Sequence, residues 1–202
     1  MTVPIETQLI FGIPLGFTKI PLKICDELKS LQGSEQIAPD CNFDVLVDKP
    51  NLKKDLANIF SLWITNIIGN KQKWVMTTNW ITENTKGLPM KQHSHKNCSY
   101  SAVLYFDKIS KDHPPLMICN PLKYIWGSLF VETNVAPNVF TSCEYPAPCG
   151  EGIMIFFPSY LEHYHSPFKS KQNRRSFACN FFPIGKYGLY DSTLDTNLLQ
   201  YD

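Results

Sequence analysis

Arginine is almost missing from this chain: of 19 basic side chains only Arg174 and Arg175 are guanidinium, and they stand side by side. A guanidinium is the cation suited to a planar, two-bonded grip on a carboxylate, so its restriction to one place marks that place for oxoacid recognition. Histidine is scarce as well, with five in all, four of them in two His-x-His pairs, His93/His95 and His163/His165. A basic stripe is lacking: the formal net charge is +1 and the one dense cationic stretch is 169–175. That excludes a broad footprint on a nucleic-acid backbone or an acidic membrane surface. The seven cysteines are odd in number and contain no C-x-x-C, which leaves no disulfide framework or zinc ribbon to read. Free thiols in a reducing compartment are expected. No apolar run approaches a membrane span, and the short apolar stretch 9–17 has no basic segment before it. Neither anchoring nor export is expected, which places the chain in the cytoplasm.

What is present divides by period. The 202 residues suit a single domain, with 1–70 as helical support, 71–185 as the core and 186–202 as a tail. Leu22, Cys25, Leu28 and Leu31 recur at three-residue steps and predict a helix over 21–31. Leu52, Leu56, Ile59, Phe60, Trp63, Ile64, Ile67 and Ile68 predict a longer one over 51–68, stopped by Gly69. Beyond it the runs are β-branched and aromatic, predicting strands at 74–81, 99–106, 116–119, 128–132, 153–157, 162–167 and 174–182. Two helices followed by many strands give a mainly β fold with N-terminal helices, a β-sandwich or jelly roll.

On a strand, residues i and i+2 share a face, so each His-x-His pair can aim two rings at one point. His93, His95 and His163 would supply three ligands and leave coordination positions open, as a catalytic metal requires. The plainer alternative is a chance pair on a surface strand. His165 reads as a rim or packing residue, and His113, beside Pro114 and Pro115, as a loop residue. Along 174–182, Arg174, Ser176, Ala178 and Asn180 share one face and Arg175, Phe177 and Cys179 the other. A buried Arg174 would be satisfied by an anionic ligand; exposed, it would bridge to a loop acid. Trp80, Trp126 and Phe181 read as site walls or as core, and 120–148 as a segment that includes a lid. Imidazole ligands must be neutral to bind, which predicts metal affinity falling as pH drops through about 6.5.

The ordered set Trp80-x6-Gly87-x5-His93-Ser94-His95-Lys96-Asn97, Ser101-x-Val103-x-Tyr105-Phe106, 152–159, His163-x-x-x-Pro167 and Arg174-x-Ser176-x-x-x-Asn180 resembles the Fe(II)- and 2-oxoglutarate-dependent oxygenases. The likeness spans roughly 74–182 and is nearest to the small oxygenases common in marine bacteria and their phages. It implies a double-stranded β-helix, a jelly roll with iron on its inner face. His93 and His163 fall on the family's two histidine ligands, and Arg174 on the arginine that pairs with the far carboxylate of 2-oxoglutarate. Tyr105 falls on a tyrosine that bonds that carboxylate in some prolyl hydroxylases, and Ser176 on the hydroxyl of Arg-x-Ser. His95 departs from the pattern: most members carry Asp or Glu there, completing a 2-His-1-carboxylate set. The exchange of a carboxylate for imidazole raises the site charge by one.

The expectation is therefore an Fe(II) enzyme that couples decarboxylation of 2-oxoglutarate to hydroxylation of a C–H bond by dioxygen. A peptidyl proline in a peptide or protein partner is the expected substrate. Two alternatives stand beside it, a three-histidine cupin-type dioxygenase without oxoacid and a non-catalytic jelly-roll binding module. The cupin's glutamate is missing, because Ser99 and Tyr100 occupy the positions where it is expected.

Overall fold

The computed structural model describes residues 12–33, 43–123, 138, 142–167 and 169–199. Two antiparallel sheets carry the fold. The larger has the order β1 (Gly16–Lys19), β7 (Ile153–Pro158), β4 (Tyr100–Tyr105), β9 (Arg174–Ile184), β2 (Lys73–Asn84). The smaller has the order β3 (Met90–His93), β8 (His163–His165), β5 (Met117–Cys119), β6 (Glu144–Pro146). Strands that alternate between two facing sheets make this the jelly-roll double-stranded β-helix.

Side-chain alternation sorts the core into two layers. Met154 and Phe156 of β7 and Phe177, Cys179 and Phe181 of β9 point to one side, where helices α1 (Leu22–Lys29) and α2 (Pro50–Asn66) cover them. Ile155 and Phe157 of β7 and Tyr105 of β4 point to the other side and meet Leu116, Ile118, Ala147 and Leu161 from the region of the smaller sheet. Pro50 opens α2, where its missing N–H costs nothing, and Leu52, Leu56, Phe60 and Ile64 bury at four-residue steps. Phe60 stacks on Phe181 at 3.9 Å, which makes Phe181 core rather than a wall of the site. Trp63 stacks on Phe156 at 5.4 Å and lies over Gly16, where a Cβ would come within 2.5 Å of its ring. Glycine there lets α2 approach the edge strand. The chain leaves α2 through Ile67 and passes Gly69 at φ +79, a left-handed stop.

One irregularity decides what faces the site. Met76 and Ile81 both join the helix-side core although five residues apart, because β2 carries a bulge between Met76 and Thr78. The extra residue shifts the alternation, so Thr78, Trp80 and Thr82 turn toward the smaller sheet. After β9, Lys186–Tyr187 (β10) pairs antiparallel with Leu194–Asp195 (β11). The predicted strand 162–167 shortens to β8, and β1 and β6 have no counterpart among the expected strands. Strand 128–132, Trp126 and most of the expected lid segment fall outside the described residues.

Candidate metal centre and oxoacid pocket

His93 ends β3 directly opposite His163 on β8, and a register shift within β3 brings the two into line. His95 does not extend that strand as the His-x-His spacing suggests. It lies in the following loop, where its backbone N–H donates to the Ser159 carbonyl at 3.0 Å and its ring stands 5.5 Å from Trp80. The bulge in β2 thus places Trp80 as a wall beside His95. The ligand atoms of His93, His95 and His163 lie within 4.8 Å of one another, and no carboxylate joins the group among the described residues. Ring centroids are separated by 4.4 Å for His93 and His163 and by 5.1 Å for His95 with either.

Two of the rings are already oriented. His93 Nδ1 lies 2.8 Å from the Lys91 carbonyl and His163 Nδ1 lies 2.9 Å from the Leu161 carbonyl. Only an N–H can satisfy a carbonyl, so each Nδ1 carries the proton and each Nε2 offers a lone pair, the outer-shell arrangement that suits metal ligation. Burial, with the His93 charge second, holds His163 down to about 3 and His95 down to about 4. Both are neutral donors at physiological pH, and the donor set fits a divalent transition metal.

These depressed values lower the acid sensitivity expected at two of the three proposed ligands. His95 and His163 do not take up protons near 6.5 in the folded chain, so proton competition at these two ligands is deferred to about pH 4 and below. The sensitivity moves to folding instead. The unfolded chain binds protons at histidine below about 6.5 that the fold refuses, so metal-free stability is full above that pH and declines toward pH 4. A loss on the order of 3 kcal/mol, or about 10 °C in Tm, is expected between pH 7 and pH 4. Thermal melts of metal-free protein at stepped pH check this, and a flat profile would contradict buried neutral histidines.

Arg174 begins β9 and is buried between the sheets. Its Nη1 donates to the Pro114 carbonyl at 2.7 Å and its guanidinium carbon lies 5.6 Å from the Tyr105 ring centre. The Tyr105 hydroxyl is buried next to the Cys149 thiol, and burial raises its pKa, so it remains a neutral hydroxyl. Ser176 is buried two residues along from Arg174, opposite Thr82. Arg175 turns the other way, donating to the Lys29 and Leu31 carbonyls and lying 3.8 Å from Asp107. It staples the end of α1 to the sheet. Farther along the inner face, Asn180 donates to Thr78 at 3.0 Å and accepts from Ser101 at 2.7 Å, and Ser101 meets Ser159 at 2.8 Å. This buried network fixes the segment whose carbonyl anchors His95.

His113 is in a loop but buried, accepting from the Ser110 N–H at 3.1 Å and donating to the Gln172 carbonyl at 2.9 Å, which ties that loop to the approach to β9. Of the two readings of His165, rim or packing, burial selects packing, since it is 1% exposed. A groove of about 590 Å³ reaches the centre at His95 alone and is walled by Tyr100, Tyr160, Pro14 and Pro158.

Residues 78–180, just over half of the chain, match the family described as "Putative 2OG-Fe(II) oxygenase". A search of curated proteins found no match. HygX from Streptomyces hygroscopicus, solved with nickel, 2-oxoglutarate and hygromycin B bound, is similar over 85% of this chain and 83% of its own, at 12% identity and a TM-score of 0.56. SnoN, a non-heme alpha ketoglutarate dependent epimerase from nogalamycin biosynthesis, is similar over 86% of this chain and 81% of its own, at 10% identity and a TM-score of 0.55. An oxidoreductase of the 2OG-Fe(II) oxygenase family from Burkholderia pseudomallei matches 69% of this chain, which spans 55% of that protein, at 11% identity and a TM-score of 0.43. HygX and SnoN share the fold of this chain.

Proposed function

Because the chain belongs to the 2OG-Fe(II) oxygenase family, we propose that it is an Fe(II)- and 2-oxoglutarate-dependent hydroxylase with iron held by His93, His95 and His163. The observation that carries this reading is a three-imidazole cluster, His163 buried and His93 and His95 half-buried, in a fold that also buries a single guanidinium, Arg174, on the inner face of β9. Fe(II) bound there with 2-oxoglutarate would supply a coupled oxidation by dioxygen, in which one oxygen atom enters succinate as carbon dioxide leaves and the other enters a substrate C–H bond. The chain's own part is to bind, orient and keep dry. The Nδ1–H groups of His93 and His163, held by carbonyls, aim both Nε2 atoms at the metal position. Arg174 grips the far carboxylate of the oxoacid, with the Tyr105 hydroxyl and Ser176 beside it. Ile155, Phe157 and Leu161 exclude water, which strengthens each of these polar contacts.

For the substrate the reading is a peptidyl proline. The Tyr105 and Arg174 pair supports it by its resemblance to prolyl hydroxylases, and the groove beside His95 offers aromatic surface of the kind that receives extended proline-bearing segments. Proline-containing peptides should raise succinate formation above the substrate-free rate; a panel of them without effect would replace proline by another C–H donor.

The test of the core reading is anaerobic titration. A weak visible charge-transfer band should develop only when Fe(II) and 2-oxoglutarate are both present. Iron binding indifferent to the oxoacid would favour the three-histidine cupin-type dioxygenase, and absence of iron binding would leave a non-catalytic binding module.

A further inference from the structure

We propose that His113 is a positioning residue for the oxoacid: its imidazole clasps the loop 110–115 to the entry of β9 and so fixes the Pro114 carbonyl that orients Arg174. The inference rests on the oxygenase reading above and deepens it. His113 is buried, and both of its ring nitrogens are engaged. Nδ1 accepts from the Ser110 N–H at 3.1 Å, so Nε2 carries the proton and donates to the Gln172 carbonyl at 2.9 Å. The backbone N–H of His113 donates to the Ser110 carbonyl at 3.0 Å, which closes a turn. Gln172 returns a bond across the same seam, from its Nε2 to the Lys108 carbonyl at 3.4 Å.

A closed circuit results. From Gln172 the chain runs through Asn173 to Arg174, whose Nη1 donates to the Pro114 carbonyl at 2.7 Å, and Pro114 is the residue after His113. The link between ring and carbonyl is stiff, because proline fixes φ at 114 and Pro115 restricts the residue before it to extended backbone. Pinning His113 therefore pins the direction of the carbonyl. The Tyr105 ring, 5.6 Å from the guanidinium carbon, adds a second constraint on the fork. An arginine turned out of that plane keeps its charge and loses the two-bonded grip on a carboxylate. His113 thus acts on affinity for the far carboxylate from outside the imidazole cluster.

The experiment has two readouts, and the first needs no metal. With two arginines in the chain, nitrogen-edited NMR spectra of metal-free protein should hold two guanidinium Nε–H signals, and the one lost in Arg174→Lys belongs to Arg174. His113→Asn keeps an acceptor near the Nδ1 position and loses the reach to Gln172, whereas His113→Gln places its amide near Nε2 and keeps that reach. In His113→Asn the Arg174 signals should shift and its Nη protons should average by rotation, with the Arg175 signals unmoved. His113→Gln should resemble the parent. The second readout is anaerobic titration of Fe(II)-loaded protein with 2-oxoglutarate. His113→Asn should raise its Kd on the order of tenfold, the size of one hydrogen bond to a charged group, with the Kd for Fe(II) at the parent's. His113→Gln should stay within about threefold. Either readout unchanged in His113→Asn overturns the inference, as does disturbance of Arg174 and Arg175 alike or weaker Fe(II) binding, which marks general loosening. If asparagine prevents folding, the tautomer of the parent decides: a His113 ring with its proton on Nε2 supports the clasp, and one with its proton on Nδ1 overturns it. A parent that shows no oxoacid-dependent band overturns the oxygenase reading, while the metal-free spectra still judge the clasp.

Discussion

Replacing Arg174 with alanine raises the KM for 2-oxoglutarate between about 30-fold and a few thousand-fold, because a desolvated charge-assisted pair is worth on the order of 2 to 5 kcal/mol. Fe(II) affinity stays near that of the parent, since Arg174 is not in the imidazole cluster. Arg174→Lys recovers only part of the loss, a point charge in place of a two-bonded fork. The control lies next door. Arg175 faces the helices, where it bonds the Lys29 and Leu31 carbonyls and stacks 5.0 Å over Phe106. Arg175→Ala should therefore lower the denaturation midpoint and leave the KM for 2-oxoglutarate alone. Steady-state succinate assays with both variants, beside thermal melts, decide the matter; a larger KM effect from Arg175 would mean that the oxoacid is not bound between the sheets.

The opposite fates of Arg174 and Arg175 are legible in the sequence because strand alternation is a strict two-residue period, and Phe177 and Cys179 announce the core side of β9. The helix over 51–68 is legible for the same kind of reason, its buried residues recurring with helical period. Legibility fails where the period breaks. The bulge after Met76 shifts the alternation of β2, so that Trp80 faces the site and Asn79 turns to the helix side, and no single residue type announces such an insertion. His95 has the spacing of a strand partner of His93, yet it reaches the cluster from a loop held by a backbone bond to Ser159. The edge strands β1 and β6 are short, with one buried residue in β1 and none in β6, too little for an apolar pattern to register.

His95→Ala separates a true third ligand from a side chain that merely points at the centre. If His95 binds the metal, its removal weakens Fe(II) binding by at least about a hundredfold, since even outer-shell partners are worth 10- to 100-fold in affinity, and 2-oxoglutarate turnover disappears. His95→Asp restores the carboxylate that most members of the family carry. It should retain iron and some oxoacid decarboxylation, with the site charge lowered by one. The loop position favours that rescue: His95 is anchored through its backbone N–H to Ser159 rather than locked into the β3–β8 ladder, so the following residues can adjust to a shorter side chain. Trp80 opposes it, because its ring packs near the imidazole and would face a gap. Calorimetric Fe(II) titration with a succinate assay on both variants distinguishes the two cases. Unchanged iron affinity together with unchanged succinate production in His95→Ala would remove His95 from the metal's coordination and leave His93 and His163 as the protein's only imidazole ligands among the three.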